Sequence, residues 1–350
     1  MRFTHVTLGQ RVLFGSGEAT ANLALEVAAL GATRPMVIAG EHEEALADAV
    51  SAGIPTGARF GEVVAHVPLE VAERARAAAR ASGADVLVAV GGGSTTGLAK
   101  AIALTSGLPV IAVPTTYAGS EATDVWGVTE NEHKTTGSDP VVLPRSVIYD
   151  AELTLSLPVA LSTESALNAI AHCVDSLWAP RADPINRALA LEGAAALDSA
   201  IRGIVAAPAD IGSRERAFYG TYLAAVAFAS AGSGMHHKIC HVLGGMFNLP
   251  HASMHAVVLP YVLAVNAPAA TEIVQRFGLA LGSEDGKAAL ADLRRVADAP
   301  SSLGQLGMPE SGIERAAPVV LAAIPPSNPR PVDLGLITGL LRAAWAGDPV

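Results

Sequence analysis

The chain has 350 residues, enough for two domains, and 51% of them are apolar although only 4% are aromatic, so alanine, leucine and valine carry the apolarity. A formal net charge of −10 without any Lys/Arg cluster argues against nucleic acid and anionic membrane surfaces as partners. The start, Met1 to His5, has no apolar signal core, no run approaches the roughly 18 to 20 apolar residues of a membrane span, and the two cysteines, Cys173 and Cys240, are too few for a disulfide framework. A soluble cytoplasmic protein is expected.

In chain order, Val6 to Leu8 and Arg11 to Phe14 alternate like a hairpin. A helix over Ala19 to Leu30 and a buried strand over Pro35 to Ala39 follow, then a helix over Glu43 to Ala52, a short strand over Glu62 to Ala65 and a helix over Leu69 to Ser82. Val86 to Val90 reads as the central strand. Short apolar strands alternating with helices predict a parallel, Rossmann-like sheet covered on both faces.

That strand runs into Gly91-Gly92-Gly93-Ser94-Thr95-Thr96-Gly97-Leu98-Ala99-Lys100 and a helix. Bare glycine backbone at a strand's carboxyl end, followed by a helix N-terminus, suits a pyrophosphate, with Gly91, Gly92, Gly93, Ser94 and Thr95 around it. The spacing is not that of a P-loop ATPase. A second polar loop, Pro114 to Glu121, follows strand Pro109 to Val113. Its Thr115, Thr116 and Ser120 offer hydroxyls for ribose or amide, and Tyr117 stands with them as a cofactor-binding candidate. After strand Pro35 to Ala39, Gly40 occupies the place of a ribose-binding carboxylate and Glu41 comes one step later, so both NADH and NADPH are expected to bind.

Ser146 to Asp150 is the last predicted strand, and Leu157-Pro158 marks a switch. Residues 1–157 read as a nucleotide-binding α/β domain and residues 158–350 as an all-helical substrate and catalytic domain. Helices are predicted near 163–179, 185–204, 213–230, 234–246, 255–281, 285–298, 310–323 and 333–346.

The helical half carries the chemistry. Five of the chain's ten histidines, His236, His237, His241, His251 and His255, fall within twenty residues. His237 and His241 share a helix face, and Asn168 and His172 form a second pair at the same spacing. Two chemistries fit such convergence: a zinc or iron site, or a metal-free site whose imidazoles give protons and hydrogen bonds to an anionic substrate.

The combination resembles the iron-containing alcohol dehydrogenase-like superfamily and, within it, the maleylacetate reductases. The resemblance rests on Gly91 to Lys100, Pro114 to Glu121, Trp126 to Thr129, Lys134 to Gly137, Leu143 to Arg145, His236 to His241, Asn328 to Pro331 and Trp345. It implies an N-terminal nucleotide domain, a helical domain and a homodimer. His172, His237 and His251 match three of the superfamily's four metal-ligand positions, and His241 matches the histidine near the nicotinamide. Asn168 stands where metal-dependent members carry aspartate, so a metal is not expected to be required. The implied reaction reduces the carbon–carbon double bond of maleylacetate to give 3-oxoadipate in aromatic degradation. His241, His237 and His172 are its catalytic candidates, and His236, Lys238, His251 and Asn168 would bind the dicarboxylate. The rivals are a metal-dependent alcohol or aldehyde dehydrogenase, a lyase like dehydroquinate synthase, and a non-catalytic sensor.

Overall fold

The structure, a computed structural model, describes residues 2–130 and 133–350; Met1 and the side chain of Lys134, both named above, lie outside what is described. The chain divides into two compact units, Leu8–Leu157, and Pro158–Val350 together with the segment ending at Thr7. That short segment joins the helical unit rather than the nucleotide unit, as the 2.8 Å contact of His5 Nδ1 with Asp183 Oδ2 illustrates.

In the first unit the elements run β1 (Arg11–Phe14), α1 (Ala19–Ala29), β2 (Pro35–Ile38), α2 (Glu44–Ser51), β3 (Ala58–Phe60), α3 (Leu69–Ser82), β4 (Val86–Gly91), α4 (Gly93–Ser106) and β5 (Val110–Pro114). A two-stranded hairpin, β6 (Val125–Glu130) and β7 (His133–Ser138), precedes β8 (Ser146–Tyr149). The six main strands are all parallel, in the order β1-β8-β5-β4-β2-β3. Alternation along β4 sorts its side chains: Leu87 and Ala89 pack with Val71, Ala75, Leu98 and Ile102, whereas Val86, Val88 and Val90 pack with Leu23, Val27 and Ala47. Both faces are therefore covered, and the strand is apolar throughout.

Three sequence expectations are corrected. β1 is one edge strand paired parallel to β8, with Leu13 opposite Ile148, and not half of a hairpin. The third strand is Ala58–Phe60, because its register beside β2 places Ala58 opposite Met36 and leaves Glu62 to Ala65 beyond the pairing. The real hairpin, β6–β7, was not foreseen, since polar and glycine residues there replace the apolar alternation of a buried strand.

The second unit contains α5 (Val159–Ser176), α6 (Pro184–Ala206), α7 (Ile211–Ala231), α8 (Met235–Phe247), α9 (His251–Asn266), α10 (Thr271–Ala280), α11 (Gly286–Val296), α12 (Gly312–Ala323) and α13 (Leu334–Ala346). The single helix expected over 255–281 is broken by a 3-10 turn at Ala267–Ala269, where Pro268 supplies no N–H. The stretch His251–Ala269 is long and apolar enough to cross a membrane, contrary to the sequence reading, and most of it is buried within the protein. It packs as a core helix: Met254, Val257, Val258 and Val262 of α9 join residues of α8, α12 and α13 in one cluster.

Close approach of α6 and α7 depends on small residues. A Cβ at Gly220 would lie 2.7 Å from Leu197 Cγ and 2.9 Å from the carbonyl oxygen of Gly193. Gly220→Ala is expected to cost about 1–3 kcal/mol through overpacking, read as a fall of several degrees in the melting temperature; an unchanged midpoint would refute the close contact.

Candidate active site

In the nucleotide unit, β4 ends at Gly91 and α4 starts at Gly93. Gly91 has φ +152°, and a Cβ there would sit 2.4 Å from Thr95 Oγ1; at Gly92 it would sit 3.0 Å from Thr116 Cγ2. These positions accept no side chain, and no side chain caps the first turn of α4. The resulting bare backbone and open helix N-terminus fit the pyrophosphate of a dinucleotide. Ser94 is half-buried here, whereas Thr95 is buried beneath Gly91.

The loop after β5 is held alongside, with Thr115 N–H donating to the Gly91 carbonyl at 3.1 Å. Thr116 and Ser120 are half-buried and Thr115 is buried. Tyr117 is corrected from its assignment: its ring is fully buried and its hydroxyl donates to Thr154 Oγ1 at 3.0 Å, so it anchors the loop instead of offering the hydroxyl to a cofactor. Lys100, read from sequence as a motif residue only, is wholly buried and donates to the carbonyls of Ser120 (2.6 Å), Thr123 (2.8 Å) and Val125 (2.9 Å) and to Thr123 Oγ1 (3.0 Å). Burial lowers its pKa to about 7, against the opposing pull of Glu121 and Asp124. After β2, Gly40 precedes a 3-10 turn over Glu41–Glu43. Glu41 is exposed, and Glu43 folds back so that its Oε2 would lie 2.9 Å from a Cβ at Gly40.

In the helical unit, α5 presents Asn168, His172 and Asp175 from a buried stretch. Asp175 accepts hydrogen bonds from the backbone N–H of Gly234 (3.1 Å), His236 (3.3 Å) and His237 (3.1 Å), and its Oδ2 lies 2.8 Å from His237 Nδ1. The ring of His237 stacks on His172 at 4.8 Å and 17°, with Phe228 4.3 Å from His237. Asn168 Oδ1, His172 Nδ1 and His237 Nε2 are buried without a hydrogen-bond partner among the described residues. Buried polar atoms in that state mark a place for a guest.

His236 is corrected as a substrate contact. It has no exposed surface and its Nε2 lies 2.9 Å from His255 Nδ1, with Cys240 Sγ at 3.7 Å, so it points into the core. Lys238 and His241 are half-buried and His251, the first residue of α9, is exposed. The His241 ring is 6.1 Å from that of His237. Burial lowers the pKa of His172 to about 4 and of His236 to about 3, and burial plus neighbouring imidazoles hold His237 and His255 well below the usual value. All four are neutral near pH 7, so they offer hydrogen bonds and not positive charge. Burial pushes Asp175 up to about 7, with the N–H groups of His237, His236 and Gly234 acting the other way.

A phosphate loop on a parallel sheet and a histidine-bearing helical unit define a nicotinamide-dependent oxidoreductase. The chain matches the family described as iron-containing alcohol dehydrogenase over residues 9–151 and the Fe-containing alcohol dehydrogenase family, C-terminal, over residues 162–345. It belongs to the iron-containing alcohol dehydrogenase family. The maleylacetate reductase of Burkholderia cepacia is 47% identical over 341 residues, 96% of each chain. The structure of an iron-containing alcohol dehydrogenase from Corynebacterium glutamicum superposes with a TM-score of 0.97 at 55% identity, covering 100% of this chain and 98% of that one. A maleylacetate reductase structure from Agrobacterium tumefaciens gives a TM-score of 0.93 at 41% identity over 99% of both chains.

The metal that the family name implies is a poor fit to these residues. Among the described residues, the one group of three His, Cys or carboxylate ligands with donor atoms all within 4.8 Å is His236, Cys240 and His255. There the two imidazoles are already at hydrogen-bond distance from each other. His172, His237 and His251 form no such group, and the remaining family position supplies the neutral amide of Asn168. A divalent cation would polarise a carbonyl oxygen as a Lewis acid, but the side chains at the family's positions bring no carboxylate to balance its charge.

Lys100→Met removes the donor to three carbonyl groups, one buried and two part-buried. A loss of about 2–4 kcal/mol in stability is expected, together with a raised KM for NADH because the loop carrying Thr116 and Ser120 is freed. Denaturant unfolding and initial rates check both, and an unchanged KM would remove the lysine from loop positioning.

Proposed function

We propose that the chain is a maleylacetate reductase that reduces the carbon–carbon double bond of maleylacetate with NADH or NADPH and needs no resident metal. Asn168 carries this reading: an amide replaces the ligand carboxylate in a chain 47% identical over most of its length to the Burkholderia cepacia maleylacetate reductase. The setting implied is a soluble cytoplasmic homodimer in aromatic catabolism.

The Gly91–Gly93 backbone would hold the pyrophosphate of a nicotinamide cofactor, which when bound would supply hydride to the alkene carbon beta to the ketone. Electrons move onto the ketone oxygen as an enolate, and a proton added at the alpha carbon completes 3-oxoadipate. The half-buried His241 is the donor for that charge. Lys238 and the exposed His251 meet the substrate carboxylates, and the Asn168 amide N–H and a His172 ring N–H donate neutral hydrogen bonds to its oxygens. A ketone enolate needs less stabilisation than the alkoxide formed in carbonyl reduction, which lets hydrogen bonds suffice.

A second reading, a metal-dependent alcohol or aldehyde dehydrogenase, is favoured by the 55% identity to the Corynebacterium glutamicum protein of that family name. Rates with maleylacetate and NADH before and after chelation, and alcohol oxidation with added zinc or ferrous iron, distinguish the two. Maleylacetate reduction is expected to survive chelation. Asn168→Asp should raise metal content, by elemental analysis, and raise KM for the dianion; stoichiometric metal in the wild type, with activity lost on chelation and restored by zinc or iron, would establish the second reading. His241→Ala should lower kcat by about a hundredfold or more with little change in NADH binding, and an unchanged kcat would exclude His241 from the reaction.

A further inference from the structure

We propose that Asp175 is a positioning residue for the reduction: it holds the proton of His237 on Nδ1 and so fixes Nε2 as a hydrogen-bond acceptor. The inference rests on the reading of the His172–His237 cluster as the reaction site. It reassigns His237, which then orients a donor at Nε2 and does not itself supply the proton.

Helix capping alone does not account for the arrangement. α6, α7, α11 and α13 are each capped by an aspartate at their own N-cap position, Asp183, Asp210, Asp285 and Asp333. The N-cap of α8 is Gly234, which has no side chain to cap with, and the carboxylate comes from α5, 59 to 62 residues earlier in the chain. Its shortest bond, 2.8 Å, is to the imidazole and not to the helix. The glycine is a condition of the contact, since a Cβ at position 234 would fall 2.6 Å from Asp175 Oδ1. Asp175 is fully buried, and a carboxylate so placed needs several donors. Three backbone N–H groups and one imidazole N–H supply them, which leaves His237 Nε2 as a buried lone pair with no partner among the described residues. Orientation of a histidine by a carboxylate on its far nitrogen is a general means of setting tautomer and ring direction.

Nitrogen-15 histidine NMR on the full-length protein, with His237 assigned by comparison with His237→Gln, should show the Nδ1–H tautomer. Asp175→Asn should lower kcat for maleylacetate reduction by at least about tenfold while KM for NADH changes by less than about twofold. In the His237→Gln background the same change should lower kcat by less than about twofold, because the effect runs through the imidazole. Equal losses in both backgrounds, accompanied by a lower melting temperature, would reduce Asp175 to a cap, and an Nε2–H tautomer in the wild type would overturn the proposal outright. Should Asp175→Asn fail to fold, Gly234→Ala, which displaces the carboxylate, takes its place in the same cycle. Absence of any wild-type turnover of maleylacetate would count against the proposed function, whereas the tautomer would still be decided by the spectrum.

Discussion

Imidazoles withdrawn from water cannot all carry charge, and the helical unit is arranged around that constraint. His172, His236, His237 and His255 are packed together and neutral. A neutral imidazole has one donor and one acceptor nitrogen, so each ring needs a partner of each kind. His236 and His255 meet each other, and His237 meets Asp175. Still unmatched among the described residues are Asn168 Oδ1, His172 Nδ1 and His237 Nε2, together with the other nitrogens of the facing pair, His236 Nδ1 and His255 Nε2. Positive charge for a dianion falls to the less enclosed Lys238, with the ring N–H groups of His241 and His251 as further donors.

Much of the fold was legible because the two halves obey different periods. Val86 to Val90 is continuously apolar and buried on both faces, and only a central parallel strand between helical layers satisfies that pattern. The edges were harder to read. Partner strands, and not their own alternation, determine β1 and β3, and such pairing is non-local. Pro268 marks the break after α9, but the apolar run on both sides of it continues the helical pattern in sequence.

In the site, spacing brought out Asn168, His172, His237 and His241, since residues four apart share a helix face. What spacing leaves open is which way each polar group turns. His236 and His237 are neighbours in sequence, yet one enters the core and the other faces His172. Asp175 was invisible as a functional group because its partners lie about sixty residues away; the available signal was a lone acid in the apolar stretch that follows His172. Lys100 posed the same difficulty, as its acceptors are carbonyl groups, which leave no mark on sequence.

The position of that acid bears on why a dianion suits this site better than a dication. A carboxylate among the ligands would touch a metal directly, whereas Asp175 lies on the far side of the His237 ring, against Nδ1. Coulomb energy falls as the inverse of distance, so in a given medium its attraction for a cation at Nε2 is weaker. The same displacement weakens its repulsion of a substrate carboxylate. Asn168 brings no charge to the near position, and the far carboxyl group, Asp175, orients an imidazole. The two residues together convert a cation-binding arrangement into one in which geometry is kept and the electrostatic penalty for an anion is reduced.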